Sequence, residues 1–122
     1  PAAAADAYFI GLEDGATVSS PLTVRFGLSG MGVAPAGVEK EGTGHHHVLI
    51  DRAPWGMGPG DAEIAADGLP ADEHHRHFGG GQTETVLDLA PGAHTLQLLM
   101  GDAYHVPLDP PVASARITVT VE

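Results

Sequence analysis

Six of the eight histidines in this chain fall in two short clusters. One is His45-His46-His47, which runs on into Val48-Leu49-Ile50. The other is His74-His75-Arg76-His77. Single histidines follow at His94 and His105. Imidazole is the commonest protein ligand for transition metals, and the chain has no cysteine to compete for that role. On an extended strand, residues i and i+2 project to the same side. His45 and His47 then form one chelating pair and His75 and His77 a second, with His46 turned the other way. Two such pairs from neighbouring segments would supply four nitrogens to one ion. His105 lies in a loop-like stretch where it can close the site from above. His94 enters as a further ligand, as a group supporting one, or as a polar corner residue bonded to backbone.

The expected metal site is therefore His45, His47, His75, His77, His94 and His105. Nitrogen-rich sites without thiolate suit copper, zinc or nickel, and the affinity order of the divalent ions puts copper first. Met31, Met57 and Met100 add soft sulfur, with core filling the plainer role for Met100. Asp51, Asp72, Glu73 and Asp102 lie close to the clusters in sequence and are candidate acceptors for ring N–H groups or ligands in their own right. Trp55 is read as packing, or as a cover over the site. Protons compete for the same nitrogens, so binding is expected to weaken as pH falls through the imidazole range.

Composition narrows the classes of partner. The formal net charge is −11, from sixteen acidic against five basic residues. Such a surface repels nucleic acid and anionic membranes and concentrates cations. Without cysteine there are no disulfides, thiolate zinc sites or thiol nucleophiles. No apolar run approaches the ~18 residues of a membrane span. No serine–histidine–aspartate order and no phosphate loop is present; Gly79-Gly80-Gly81 precedes a strand, not a helix.

The elements that would position these residues are strands. Leu22, Val24, Phe26 and Leu28 alternate with polar or small residues. So do Thr85, Leu87 and Leu89, then His94, Leu96 and Leu98, and finally Ala115, Ile117, Val119 and Val121. Further strands are expected near residues 7–12, 46–51 and 62–66. Turn signals at Glu13-Asp14-Gly15, Asp67-Gly68 and Pro91-Gly92 divide them. Seventeen glycines and ten prolines argue against any long helix. The pattern predicts an all-β chain: one antiparallel immunoglobulin-like β-sandwich of about seven strands spanning 1–122. The stretches 30–44 and 52–61 are long connections and candidate functional loops. The Ala-rich start, residues 1–6, is read as flexible and left from a processed export signal.

Three stretches carry a resemblance: residues 42–51 (Gly-Thr-Gly-His-His-His-Val-Leu-Ile-Asp), 75–84 (His-Arg-His-Phe-Gly-Gly-Gly-Gln-Thr-Glu) and 91–98 (Pro-Gly-Ala-His-Thr-Leu-Gln-Leu), completed by 105–111. Together they resemble a family of small, His-rich exported bacterial domains of unknown function, sometimes mislabelled rod-shape-determining. The resemblance implies an exported immunoglobulin-like domain and no established activity.

The sequence therefore predicts a periplasmic or secreted metal-binding protein, copper first and zinc or nickel as alternatives. It would sequester the ion or deliver it to a periplasmic metalloprotein or transporter. Two rivals stand beside it: an enzyme using an open position on the metal, and an adhesion or assembly module whose histidines are structural.

Overall fold

A computed structural model describes residues 5–122 of the chain. The strands are β1 (Asp6–Ile10), β2 (Ala16–Val18), β3 (Leu22–Ser29), β4 (Gly32–Val33), β5 (Thr43–Ile50), β6 (His75–His77), β7 (Glu84–Leu87), β8 (Gly92–Gly101) and β9 (Ile117–Val121). The helix α1 (Asp61–Asp67) lies between β5 and β6. The segment read as a flexible N-terminal remnant falls on residues 1–6. Its first four residues lie outside the described region, and Asp6 already begins β1.

The strands form two sheets. The smaller has the order β1-β3-β7 and the larger β2-β9-β8-β5-β4, with β6 also paired to β5. The main ladders are antiparallel; the short pairings β2–β9 and β4–β5 are parallel. This is the sandwich expected from the alternation. Its order is that of an immunoglobulin-like fold, with the first strand shared between the sheets as β1 and β2.

The alternating residues fill the space between the sheets. Ala7, Val24, Phe26 and Leu87 meet Val48, Leu96, Leu98, Ile117 and Val119 there. A second, smaller apolar cluster lies on the outer face of the larger sheet. Leu49 and Leu99 are covered there by Ile64 of α1, Leu69 and Trp55. Both faces of β5 are thus buried, and it reads as a nearly continuous buried strand. Trp55 packs on this outer cluster, and its backbone N–H donates to Gln97 Oε1 at 2.8 Å.

One expected element is of the wrong type. Residues 62–66 were expected to extend as a strand, yet they form the body of α1. Alanine at 62, 65 and 66 favours helix, and Ile64 is the single apolar side chain the segment buries. Gly68, with φ 107°, donates its N–H to the Ile64 carbonyl at 2.8 Å and ends the helix. With one buried apolar position in seven, the segment has no period-two apolar face to place in a sheet.

Candidate metal centre

The centre is built where β5, β6 and the turn after β8 meet. On β5, His45, His47 and Leu49 face outward, and His46 faces the inter-sheet core with Val48 and Ile50. The β5–β6 ladder is antiparallel, with His47 opposite His77 and Leu49 opposite His75. The two His-x-His pairs therefore overlap at one rung only. His45 and His75 lie at opposite ends, two rungs apart, which is about 13 Å along the strands.

The remaining histidine arrives from a turn. Asp102–Val106 reverses the chain after β8. The Asp102 N–H donates to the Val106 carbonyl at 2.8 Å, and the Asp102 carboxylate accepts from the N–H groups of Tyr104 and Val106. His105 sits in this turn at φ 62°, a left-handed conformation uncommon outside glycine but less so for His. Its carbonyl accepts from Leu69 N–H at 2.8 Å, which ties the turn to the segment after α1. On its other side the Gly37 N–H donates to the Ala103 carbonyl at 2.8 Å. The glycine run beyond β6 passes close by: a Cβ on Gly79 would stand 3.9 Å from the His105 ring.

These elements bring three ring nitrogens together. His45 Nε2 lies 3.0 Å from His105 Nδ1, and His47 Nε2 lies 3.2 Å from the same atom. All three ligand atoms fall within 4.8 Å of one another. His77 closes the group, with its ring 4.4 Å from that of His105 and 4.6 Å from that of His47. His77 Nε2–H donates to the Pro70 carbonyl at 2.6 Å, so Nδ1 keeps the lone pair.

Three nitrogens with no oxygen among them make a poor hydrogen-bonding set. A neutral imidazole offers one lone pair and one N–H. If His45 and His47 both donate to His105 Nδ1, two donors compete for one lone pair. If His105 Nδ1 donates, it satisfies only one of the two. A cation would instead use all three lone pairs. An ion held at about 2.0–2.1 Å by tetrahedrally placed nitrogens spaces them about 3.3 Å apart, close to the two separations measured from His105 Nδ1. The group His45, His47 and His105 thus has the composition and spacing of a metal site.

The electrostatics keep the β5 rings neutral. His45 and His47 are wholly buried, and their Nδ1 atoms have no partner among the described residues. Burial, then the nearby His105 and His77, lowers the His45 pKa to about 4, with Asp102 opposing. Burial lowers His47 to about 2, helped by His45, His77 and His105; the Leu99 backbone opposes without reaching hydrogen-bond geometry. Burial also lowers His77. Neutral rings are the form that ligates a metal.

Residues 24–122 match the family model described as a domain of unknown function, DUF4399. The chain belongs to the DUF4399 family. No curated protein and no solved structure matches it.

Within this DUF4399 domain, the other expected ligands stand apart from the centre. His75 has both nitrogens engaged: Nδ1 donates to Asp72 Oδ1 at 2.8 Å, and Arg52 Nη1 donates to Nε2 at 2.9 Å. Arg52 in turn holds Asp61 at 2.8 Å, and the Asp61 carboxylate accepts from the N–H groups of Gly56 and Gly58. His75 is thus the hub of a network that fastens the Trp55 loop to β6. His94 lies at the start of β8, where Nδ1 donates to Asp51 at 2.8 Å and Nε2 to the Ala90 carbonyl at 2.7 Å. Both partners are acceptors, so this ring is held as an imidazolium. Asp51, then the Ala90 carbonyl, raises its pKa. The arrangement is the corner role, and it pins β8 to the end of β5. His74 donates to the Ile50 carbonyl at 2.9 Å and stays exposed.

Two glycines were not singled out in the sequence, although the site depends on them. A Cβ on Gly101 would lie 2.5 Å from His47 Cε1, and one on Gly44 would lie 2.6 Å from the Gly101 carbonyl oxygen. Glycine at both positions lets β5 and β8 close beside the rings. Arg52 and Pro70, which fix His75 and His77, also carried no local signal.

Proposed function

We propose that this domain binds one transition-metal ion through His45 Nε2, His47 Nε2 and His105 Nδ1, and that the ion is copper. His77 supplies the fourth nitrogen in this reading. The Pro70 carbonyl fixes its tautomer, as outer acceptors do for metal-bound histidines. The observation that carries the proposal is the convergence of three buried or half-buried imidazoles, from β5 and the Asp102–Val106 turn, on one small space. An all-nitrogen set follows the ordinary affinity order, which places copper above zinc and nickel.

The role that fits is sequestration or delivery in the periplasm or outside the cell, with a metalloprotein or transporter as recipient. The rings of His45 and His47 are wholly buried, which suits holding an ion better than presenting it to a substrate.

The test is titration of Cu(II) into untagged protein at neutral pH, with elemental analysis of the protein as purified. One equivalent should bind. Losing even a group that supports a ligand weakens metal sites about 10–100-fold, so His47→Asn and His105→Asn should each weaken binding by at least that much. Unchanged affinity in both variants overturns the proposal. Cell fractionation with an antibody tests the location; recovery in the cytoplasm overturns it.

A further inference from the structure

The opposite face of β5 carries a second unexplained imidazole. His46 is wholly buried in the inter-sheet core, and neither of its ring nitrogens has a partner among the described residues. Its ring lies against Phe26, with centroids 5.0 Å apart. A neutral imidazole must bury one N–H and one lone pair wherever it sits, and an unpaired buried polar group costs about 1–3 kcal/mol. Here both are unpaired.

The neighbours of His46 on this face include two sulfurs. Met100 is its direct partner across the β5–β8 ladder, and it is also wholly buried on the core side. Met31 packs against the same core, and its methyl lies 3.3 Å from where a Cβ on Gly44 would stand. Gly44 precedes His46 on the inward face, so Met31, Met100 and His46 share one end of the sandwich. Thioether sulfur combined with imidazole is a donor set for soft cations, Cu(I) foremost; it is a poor one for hard ions.

Of the three residues, Met31 meets the surface. A surface cavity of about 460 Å³ opens at this end, lined by Met31, Leu108 and Val112 among others. Its wall is bonded to Met100: the Met100 N–H donates to the Val112 carbonyl at 2.9 Å, and the Leu108 N–H donates to the Met100 carbonyl at 3.2 Å.

We propose that His46, Met100 and Met31 form a second site, selective for a soft monovalent coinage-metal cation, Cu(I) in its chemistry. The site lies on the far side of β5 from His45, His47 and His105 and does not depend on them. The sheet separates the two, so the domain holds a nitrogen site and a sulfur-containing site back to back.

Silver(I), which has the same preferences and no accessible redox step, is the probe. The wild-type protein is labelled at its methionine methyls and titrated with Ag(I) while the three methyl resonances are followed. Met57 is 79% exposed on its loop and serves as the internal control. The Met31 and Met100 signals should shift and saturate near one equivalent, with Met57 unmoved at that point. Met100→Leu and Met31→Leu keep the core volume and should fold; each should weaken Ag(I) binding at least ten-fold and leave Cu(II) binding unchanged. Shifts confined to Met57, or none at all, overturn the proposal. So does equal Ag(I) affinity in wild type and both variants. Because Cu(II) is measured separately, failure here leaves the His45–His47–His105 reading standing, and the reverse holds too.

Discussion

His47 and His77 stand directly opposite one another on adjacent antiparallel strands, and their rings meet edge to face with centroids 4.6 Å apart. This single rung decides which histidine of β6 joins the centre. His75, one rung further on, is opposite Leu49 and is bonded by Asp72 and Arg52 instead.

The two histidines of β6 should therefore separate in experiment. His75→Ala removes the hub between Asp72 and Arg52 and should lower stability by about 1–3 kcal/mol while copper affinity stays within three-fold. His77→Ala should do the opposite, with a copper affinity loss of about ten-fold or more and a smaller stability change. Denaturant melts and copper titrations on both variants check this; a copper defect in His75→Ala alone would reverse the assignment.

Gly101→Ala tests the space reserved for His47. The new Cβ would sit 2.5 Å from His47 Cε1 and 3.1 Å from its Nδ1, so the ring must move. Overpacking of this kind costs about 1–3 kcal/mol. The variant should melt lower and bind copper more weakly, since the same ring supplies Nε2. An unaltered melting temperature together with unaltered affinity would mean the ring is not held where the structure places it.

Acid should destabilise the metal-free protein early. His45 and His46 are lowered to about 4 and His47 to about 2, each with burial as the leading cause. The unfolded chain takes up protons near the ordinary value of about 6.5, while the folded chain does not. Stability from these groups is therefore complete above the unfolded value. It declines as pH falls from about 6.5 towards 4, each pKa unit per group being worth about 1.4 kcal/mol. Thermal melts from pH 7.5 to pH 4 should show a steady fall. His46→Phe should flatten part of it.

His94 works in the opposite direction. Asp51 and the Ala90 carbonyl raise its pKa, so its contribution is fully present below the unfolded value and is lost as pH rises through the folded one. His94→Gln should cost about 1 kcal/mol at pH 6 and less at pH 9. Equal losses at both pH values would show that the ring is not held as an imidazolium.

Much of this molecule is local in origin and so was legible in the sequence. Period-two alternation at Leu22–Leu28, Thr85–Leu89 and Ile117–Val121 gives strands with one buried face, and two such sheets must pack into a sandwich. The absence of cysteine and the spacing of His45 and His47 pointed to a nitrogen-only metal site. The helix over Asp61–Asp67 escaped the alternation because only one of its side chains is both apolar and buried, so neither period was written strongly.

The makeup of the centre was decided only by tertiary structure, because it depends on non-local register and chain return. Nothing within His75-Arg76-His77 says which histidine lies opposite His47; the pairing is held by long-range bonds at its two ends, from Ile50 N–H to the His74 carbonyl at 2.9 Å and from Phe78 N–H to the His46 carbonyl at 3.1 Å. Nothing near His105 says that its turn folds back over β5; that follows from the Leu69 and Gly37 N–H groups reaching the turn from distant loops. The chain's own alternation chose the donors' side of each strand, and long-range packing chose which of them meet.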